Sequence, residues 1–273
     1  MKKYSIIHVP ALSFFSPSLY HDVCAHWKGT GFGYLLLLLA VCWIPSILQM
    51  QVGLSNFINN EAPKIVSQIP TITFMNGEAS VEGEQPCTIR DPKTGQAIVV
   101  IDTTGSMTSL QGTDAFGLVT KTEATFKKNA VETRTFAFKE IKEFTLDRDM
   151  ITGWMAKAKT FVAPVVYPFA VLGSFVGRVL QILIYAAIGL ILASWCNTRR
   201  TYTELLRLTV VALTPCIIVQ TVLGIVQIRV PVPGLLYFLA AMGYLLFGIK
   251  AAAAGERAGA SSSTSAIPPE YRD

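Results

Sequence analysis

Between Lys28 and Glu61 the chain carries no Asp, Glu, Lys or Arg, and the same near-absence recurs between Lys159 and Arg199 and between Arg207 and Lys250. An ionised group at mid-bilayer costs about 2.5–3.5 kcal/mol even on the lenient insertion scale, so apolar stretches this long mark membrane spans. The chain reads as an integral membrane protein, and the lipid bilayer is its first partner.

Charge is nonetheless plentiful elsewhere. Hydrophobic residues make up 51% of the chain, yet 13 of the 18 acids and 12 of the 23 basic residues fall between Gln51 and Thr160. That balanced stretch predicts a folded, water-soluble domain over 51–160, inserted between spans. The net charge of +5 comes from the remainder, where positive residues flank spans instead of forming one face of a soluble domain. Nucleic acid is therefore not an expected partner.

The first span is predicted at 29–50, centred on the apolar run Leu35–Trp43. Some thirty residues precede it and no small-x-small site follows, which favours an uncleaved anchor over a signal peptide. Lys2, Lys3 and Lys28 on one side, and Arg199, Arg200 and Arg207 in a later short segment, put both basic segments in the cytoplasm by the positive-inside rule. By parity 161–196 then crosses once; the alternative, two tight spans within its 36 residues, would put Arg199 and Arg200 outside. A span at 178–196, with Arg178 snorkelling at the outer boundary, is preceded at 161–177 by a helix kinked at Pro164 and Pro168. A cytoplasmic loop at 197–204, spans at 205–226 and 234–250, and a disordered Ala/Ser/Gly-rich tail at 251–273 complete the chain. Residues 1–28, with Phe14, Phe15, Leu19, Tyr20 and Trp27, read as an arm whose helix lies on the inner leaflet.

Inside the charged insert, Leu54, Phe57, Ile58, Ile65, Val66 and Ile69 extend the first span as an amphipathic helix. After Pro70 the pattern changes to short strands. Asn76-Gly77 between 71–75 and 78–82 predicts a type I′ hairpin, and Asp91–Gly95 a second turn between 87–90 and 97–102. Further strands are predicted at 116–120, 124–128 and 133–138. The fold class is thus a membrane α-helical protein of four transmembrane helices with an inserted extracytoplasmic α+β domain of short antiparallel strands.

Pro70–Gly77, Pro86–Asp91, the run Val99-Val100-Ile101-Asp102-Thr103-Thr104-Gly105, the stretch Phe116–Asp149 and the Phe14-Phe15-Ser16-Pro17 opening resemble an uncharacterised bacterial membrane family, domain of unknown function 1189. The resemblance covers most of residues 10–250. It implies a multi-pass cytoplasmic-membrane protein of unassigned activity, some relatives being labelled maltodextrin-utilisation proteins, and it transfers no catalytic residue.

Asp102-Thr103-Thr104-Gly105-Ser106 after the apolar strand matches the opening of a von Willebrand A metal site, where a carboxylate and two hydroxyls offer hard oxygens to Mg²⁺. That fold needs an amphipathic helix directly afterwards, whereas Thr108–Asp114 is turn-like, so a hydroxyl-rich turn is the favoured reading. An aspartic-protease reading fails because Asp102 is followed by Thr-Thr-Gly. His8, His21 and His26 all lie in the arm, leaving no imidazole for the insert or the spans. Cys87 alone lies in the insert, so no internal disulfide forms there.

Among the polar residues of the spans, Thr214-Pro215 predicts a local break, with a packing kink as the simpler meaning. The candidate functional or structural positions are therefore Asp102, Thr103, Thr104, Gly105, Arg178, Thr214 and Pro215. Catalytic residues, cofactors and metals are not expected. The expected role is a non-enzymatic sensing, scaffold or accessory subunit of a bacterial inner membrane, paired with a membrane-protein partner or a second copy. A small-solute transporter, carbohydrate included, or a transport accessory protein is the alternative. The sequence leaves the ligand unknown.

Overall fold

The computed structural model describes residues 4–129, 132–228 and 230–264. It divides into two compact units, one formed by the segments up to Leu48 and from Val165 onward, the other by Gln49–Pro164.

The helices of the chain begin with α1 (Val9–Leu12) and α2 (Pro17–His26). α3 (Phe32–Asn56) continues through a π-helical turn, Phe57–Glu61, into α4 (Ala62–Val66), so the first span does run on as helix. The remaining helices are α5 (Arg148–Trp195), α6 (Tyr202–Ile225) and α7 (Pro233–Thr264). Four helical segments are long and apolar enough to cross a membrane: Phe32–Val66, Arg148–Trp195, Tyr202–Ile225 and Pro233–Arg257. At 1.5 Å per residue even the shortest of them exceeds the roughly 30 Å of a hydrocarbon layer.

α6 is the central element. Every residue from Thr209 to Ile217 is buried, and Thr201 starts the helix with a capping box: its Oγ1 accepts from the Glu204 N–H while Glu204 Oε2 accepts from the Thr201 N–H at 3.0 Å. Such a cap contributes about 1 kcal/mol.

Three boundaries differ from the sequence reading. α5 is one helix across 161–177 and 178–195, so Pro164 and Pro168 do not set off a separate segment. Each proline removes a single N–H donor, and the apolar helix on both sides holds the backbone in register. α7 stays helical to Thr264 where a disordered tail was expected. Ala251–Ala254 are strong helix formers, Ala252 is fully buried, and Glu256 accepts two hydrogen bonds from Arg200 at 2.5 and 3.0 Å. The rest of that tail, 265–273, lies outside the described residues.

The arm is the third correction. Leu19, Tyr20 and Val23 are fully buried in the core shared with α6 and α7 rather than turned to a leaflet. Gly248 opens the notch that receives Tyr20: a Cβ there would stand 2.6 Å from the ring. Tyr20 also packs edge-on against Phe247 and donates its hydroxyl to the Ser13 carbonyl at 2.7 Å. Arg207 donates to the carbonyls of Cys24 and Trp27, satisfying backbone acceptors left over at the end of α2.

The second unit contains β1 (Ile72–Met75), β2 (Glu78–Val81), β3 (Cys87–Arg90), β4 (Ala97–Ile101), β5 (Gly117–Val119), β6 (Glu123–Lys127), β7 (Thr133–Ala137) and β8 (Glu143–Leu146). One sheet has the order β2-β1-β8, the other β3-β4-β5-β6-β7. Asn76 and Gly77 take φ of 51° and 84° between Met75 and Glu78, as the type I′ hairpin requires. All pairings are antiparallel except β4 with β5, which is parallel in the register Val99↔Gly117. The loop 102–116 carries the chain back to the starting edge, a crossover that strand patterning alone did not reveal. β8 was also unforeseen. Its Phe144 and Leu146 join Ile72, Phe74, Ile89, Ile101 and Phe138 in this unit's own core.

Candidate functional site

β4 delivers Asp102 to a sharp turn. Its carboxylate is fully buried, with Oδ1 accepting from the Thr104 N–H at 2.9 Å and the Thr104 hydroxyl at 2.5 Å, and Oδ2 accepting from the Met107 N–H at 2.5 Å. Thr103 donates its N–H and hydroxyl to Gln85 Oε1 at 2.7 and 2.9 Å. Gly105 takes φ of 87° to close the loop. Burial by itself would raise the Asp102 pKa. The donors of Thr104, Met107 and Gly105 outweigh it and hold the carboxyl below its ordinary value of 3.8. The arrangement is an Asx-type turn in which the carboxylate organises its own loop. Among the described residues no three His, Cys, Asp or Glu side chains converge as a metal site.

A second feature of this unit was not read from the sequence. A groove of about 690 Å³ runs over β6 and β7 and the preceding loop, lined in part by Ser109, Gln111, Thr125, Asn129, Thr133 and Thr135. Thr125 and Thr135, opposite each other in the ladder, hydrogen-bond at 3.0 Å. β-Strand threonines alternating with exposed neighbours carried the only signal, and the cross-strand register needed to assemble them is not visible in one sequence.

In the helical unit, Arg178 lies in a stretch of α5 whose neighbours from 160–177 and 179–198 carry no charge. Its guanidinium is held by two side-chain amides: Nη1 donates to Gln181 Oε1 at 2.7 Å and Nη2 to Gln220 Oε1 on α6 at 2.5 Å. Gln181 passes the chain on, its Nε2 donating to the Tyr185 hydroxyl at 2.9 Å. Beside this network is a cavity of about 320 Å³ lined by α3, α5 and α6, with Cys42, Ser46, Ser174, Arg178, Gln220 and Thr221 supplying its polar wall. Ser46 and Gln220 lie at its exposed rim.

Thr214 and Pro215 sit deeper in α6, both buried. The Thr214 hydroxyl donates to the Val210 carbonyl at 3.1 Å and lies 3.2 Å from the Tyr34 hydroxyl of α3. The helix continues past Pro215 without ending. Arg178 and Thr214-Pro215 therefore share one bundle but belong to separate contact sets. The Asp102 turn forms a third.

The fold defines a protein of four span-length helices with an inserted unit of small, mainly antiparallel sheets. A family model described as Protein of unknown function (DUF1189) matches residues 11–249, and the chain belongs to that family. No curated protein and no solved structure matches it.

Proposed function

We propose that this chain is a non-enzymatic multi-pass protein of a bacterial cytoplasmic membrane, with both termini inside and the β-sheet unit outside, acting as a sensing, scaffold or accessory subunit. The carrying observation is that the inserted unit closes its own core and presents a groove of about 690 Å³ lined by hydroxyls and amides together with the charged Glu123 and Lys127, within the size range of small-ligand sites. The basic segments around Lys28 and Arg199–Arg207 support the orientation. α5 contributes residues to both units. A photo-crosslinking side chain placed at Thr135 in living cells should trap a discrete membrane partner or a second copy. Purified protein that alone moves solute into liposomes would overturn this reading.

The polar cavity beside Arg178 favours a second reading, a small-solute transporter or transport accessory protein, carbohydrate being one solute class. Unchanged solute accumulation in dependent cells carrying substitutions at Thr214, Pro215 and Gln220 would remove it.

A further inference from the structure

Arginine stays ionised in proteins, so Arg178 needs an anionic counterpart wherever water is scarce. Its own chain does not provide one. Residues 32–60, 150–203 and 205–255 contain no Asp or Glu, and among the described residues none of the ion pairs includes Arg178. The two groups that hold it, Gln181 and Gln220, are neutral amides that orient the guanidinium without cancelling its charge.

The depth of the site sharpens the point. Gln220, on the cavity wall, follows Arg207 by 13 positions along the continuous α6, a rise of about 20 Å from that basic flank, and Cys42 stands ten positions beyond the start of α3 at Phe32. In a layer roughly 30 Å thick that places the cavity inside the outer half of the hydrocarbon, at a level where a snorkelling side chain would have to leave its partners. The guanidinium stays with them. Ser46, Ser174, Thr221 and the Gln220 amide add neutral hydrogen-bonding groups around the same space, while Leu39, Trp43 and Ile217 give it an apolar side. Several donors around one guanidinium suit the three or more acceptor oxygens of a phosphate better than the two of a carboxylate.

We infer that the cavity between α3, α5 and α6 binds a single phosphate group on Arg178 and Gln220, entering past Ser46 at the rim. The phosphate is that of a lipid headgroup or of a small soluble anion. The inference rests on the membrane placement of these three helices but not on a sensing or accessory role, and reporter fusions test that placement by themselves.

The test uses the full chain in dodecyl maltoside micelles and a phosphate-free buffer, so that neither surfactant nor buffer supplies a phosphate. Thermal unfolding is followed with phosphatidylglycerol doped into the micelles and, separately, with inorganic phosphate added to the buffer. One or both should raise the unfolding temperature, and Arg178→Gln and Gln220→Leu should each weaken the apparent affinity by roughly tenfold or more. A response to phosphatidylglycerol alone identifies the headgroup as the source, and a response to inorganic phosphate identifies a soluble anion. Absence of any response in the unsubstituted protein, or equal responses in it and in Gln220→Leu, overturns the proposal. Neither of these outcomes depends on Arg178→Gln folding.

Discussion

Arg178 Nη2 donates to Gln220 Oε1 at 2.5 Å, joining two helices across 42 positions of sequence with a charged donor and an uncharged acceptor. Nothing else ties these two helices with an ionised group at that level among the described residues. Gln220→Leu should lower stability by about 1–2 kcal/mol, because a charge-assisted hydrogen bond is lost while the guanidinium stays. Arg178→Met, which removes the charge with its stem retained, should cost less or even stabilise. Thermal melts of both variants in the same detergent check the order.

Gly248 admits the Tyr20 ring where a Cβ would come within 2.6 Å. Gly248→Ala should therefore destabilise the bundle by about 1–3 kcal/mol through overpacking. Adding Tyr20→Leu should recover part of the loss, although it gives up the hydrogen bond to Ser13. A melting series of the single and double variants reads this directly.

Acid should weaken the β-sheet unit through Asp102. Its folded-state pKa lies below 3.8, so its contribution is fully present above that value and is lost as pH falls through the lower folded pKa. Asp91, held low chiefly by the Lys93 N–H and the Thr94 hydroxyl at the surface, titrates in the same direction. Asp102→Ala should cost roughly 1–3 kcal/mol at neutral pH, since the donors of Thr104 and Met107 lose their acceptor. Asp102→Asn should flatten the acid limb of a stability-versus-pH curve, followed by intrinsic fluorescence of the full chain.

Gly77 has φ of 84° and sits where a Cβ would meet Lys139 Cα at 3.1 Å. Gly77→Val combines backbone strain with that contact and should lose about 1–3 kcal/mol. Asn76→Gly, which keeps a residue tolerant of positive φ, should be nearly neutral. Urea unfolding distinguishes the two.

Reporter fusions test the orientation. A periplasm-active reporter inserted at Gly95 should be active, and the same reporter after Asp273 inactive. The reverse result would invert the arrangement.

Local chemistry was readable where one segment contained it. Asn76-Gly77 specified its own hairpin, and uncharged length specified the four apolar helices. What depended on distant partners was not. β5 pairs parallel to β4 because of where the loop 102–116 leads, and Glu143–Leu146 becomes a strand only once β1 offers an open edge. Arg178 was conspicuous as a lone charge, yet Gln220, Ser46 and Ser174 join it through a helix register that periodicity does not encode. The amphiphilic arm gave the right apolar residues and the wrong solvent for them, since Leu19 and Tyr20 find protein instead of lipid.

Leu19 and Tyr20 leave the ribosome long before Gly248 exists. At 5–20 residues per second the wait is roughly ten to fifty seconds, during which Tyr20 lacks the notch that α7 supplies. Seating of Tyr20 is consequently the clasp that closes only after α7 has been made. A variant delayed in delivering its last helix should expose the arm to chaperones and proteases even when every other helix is already in place.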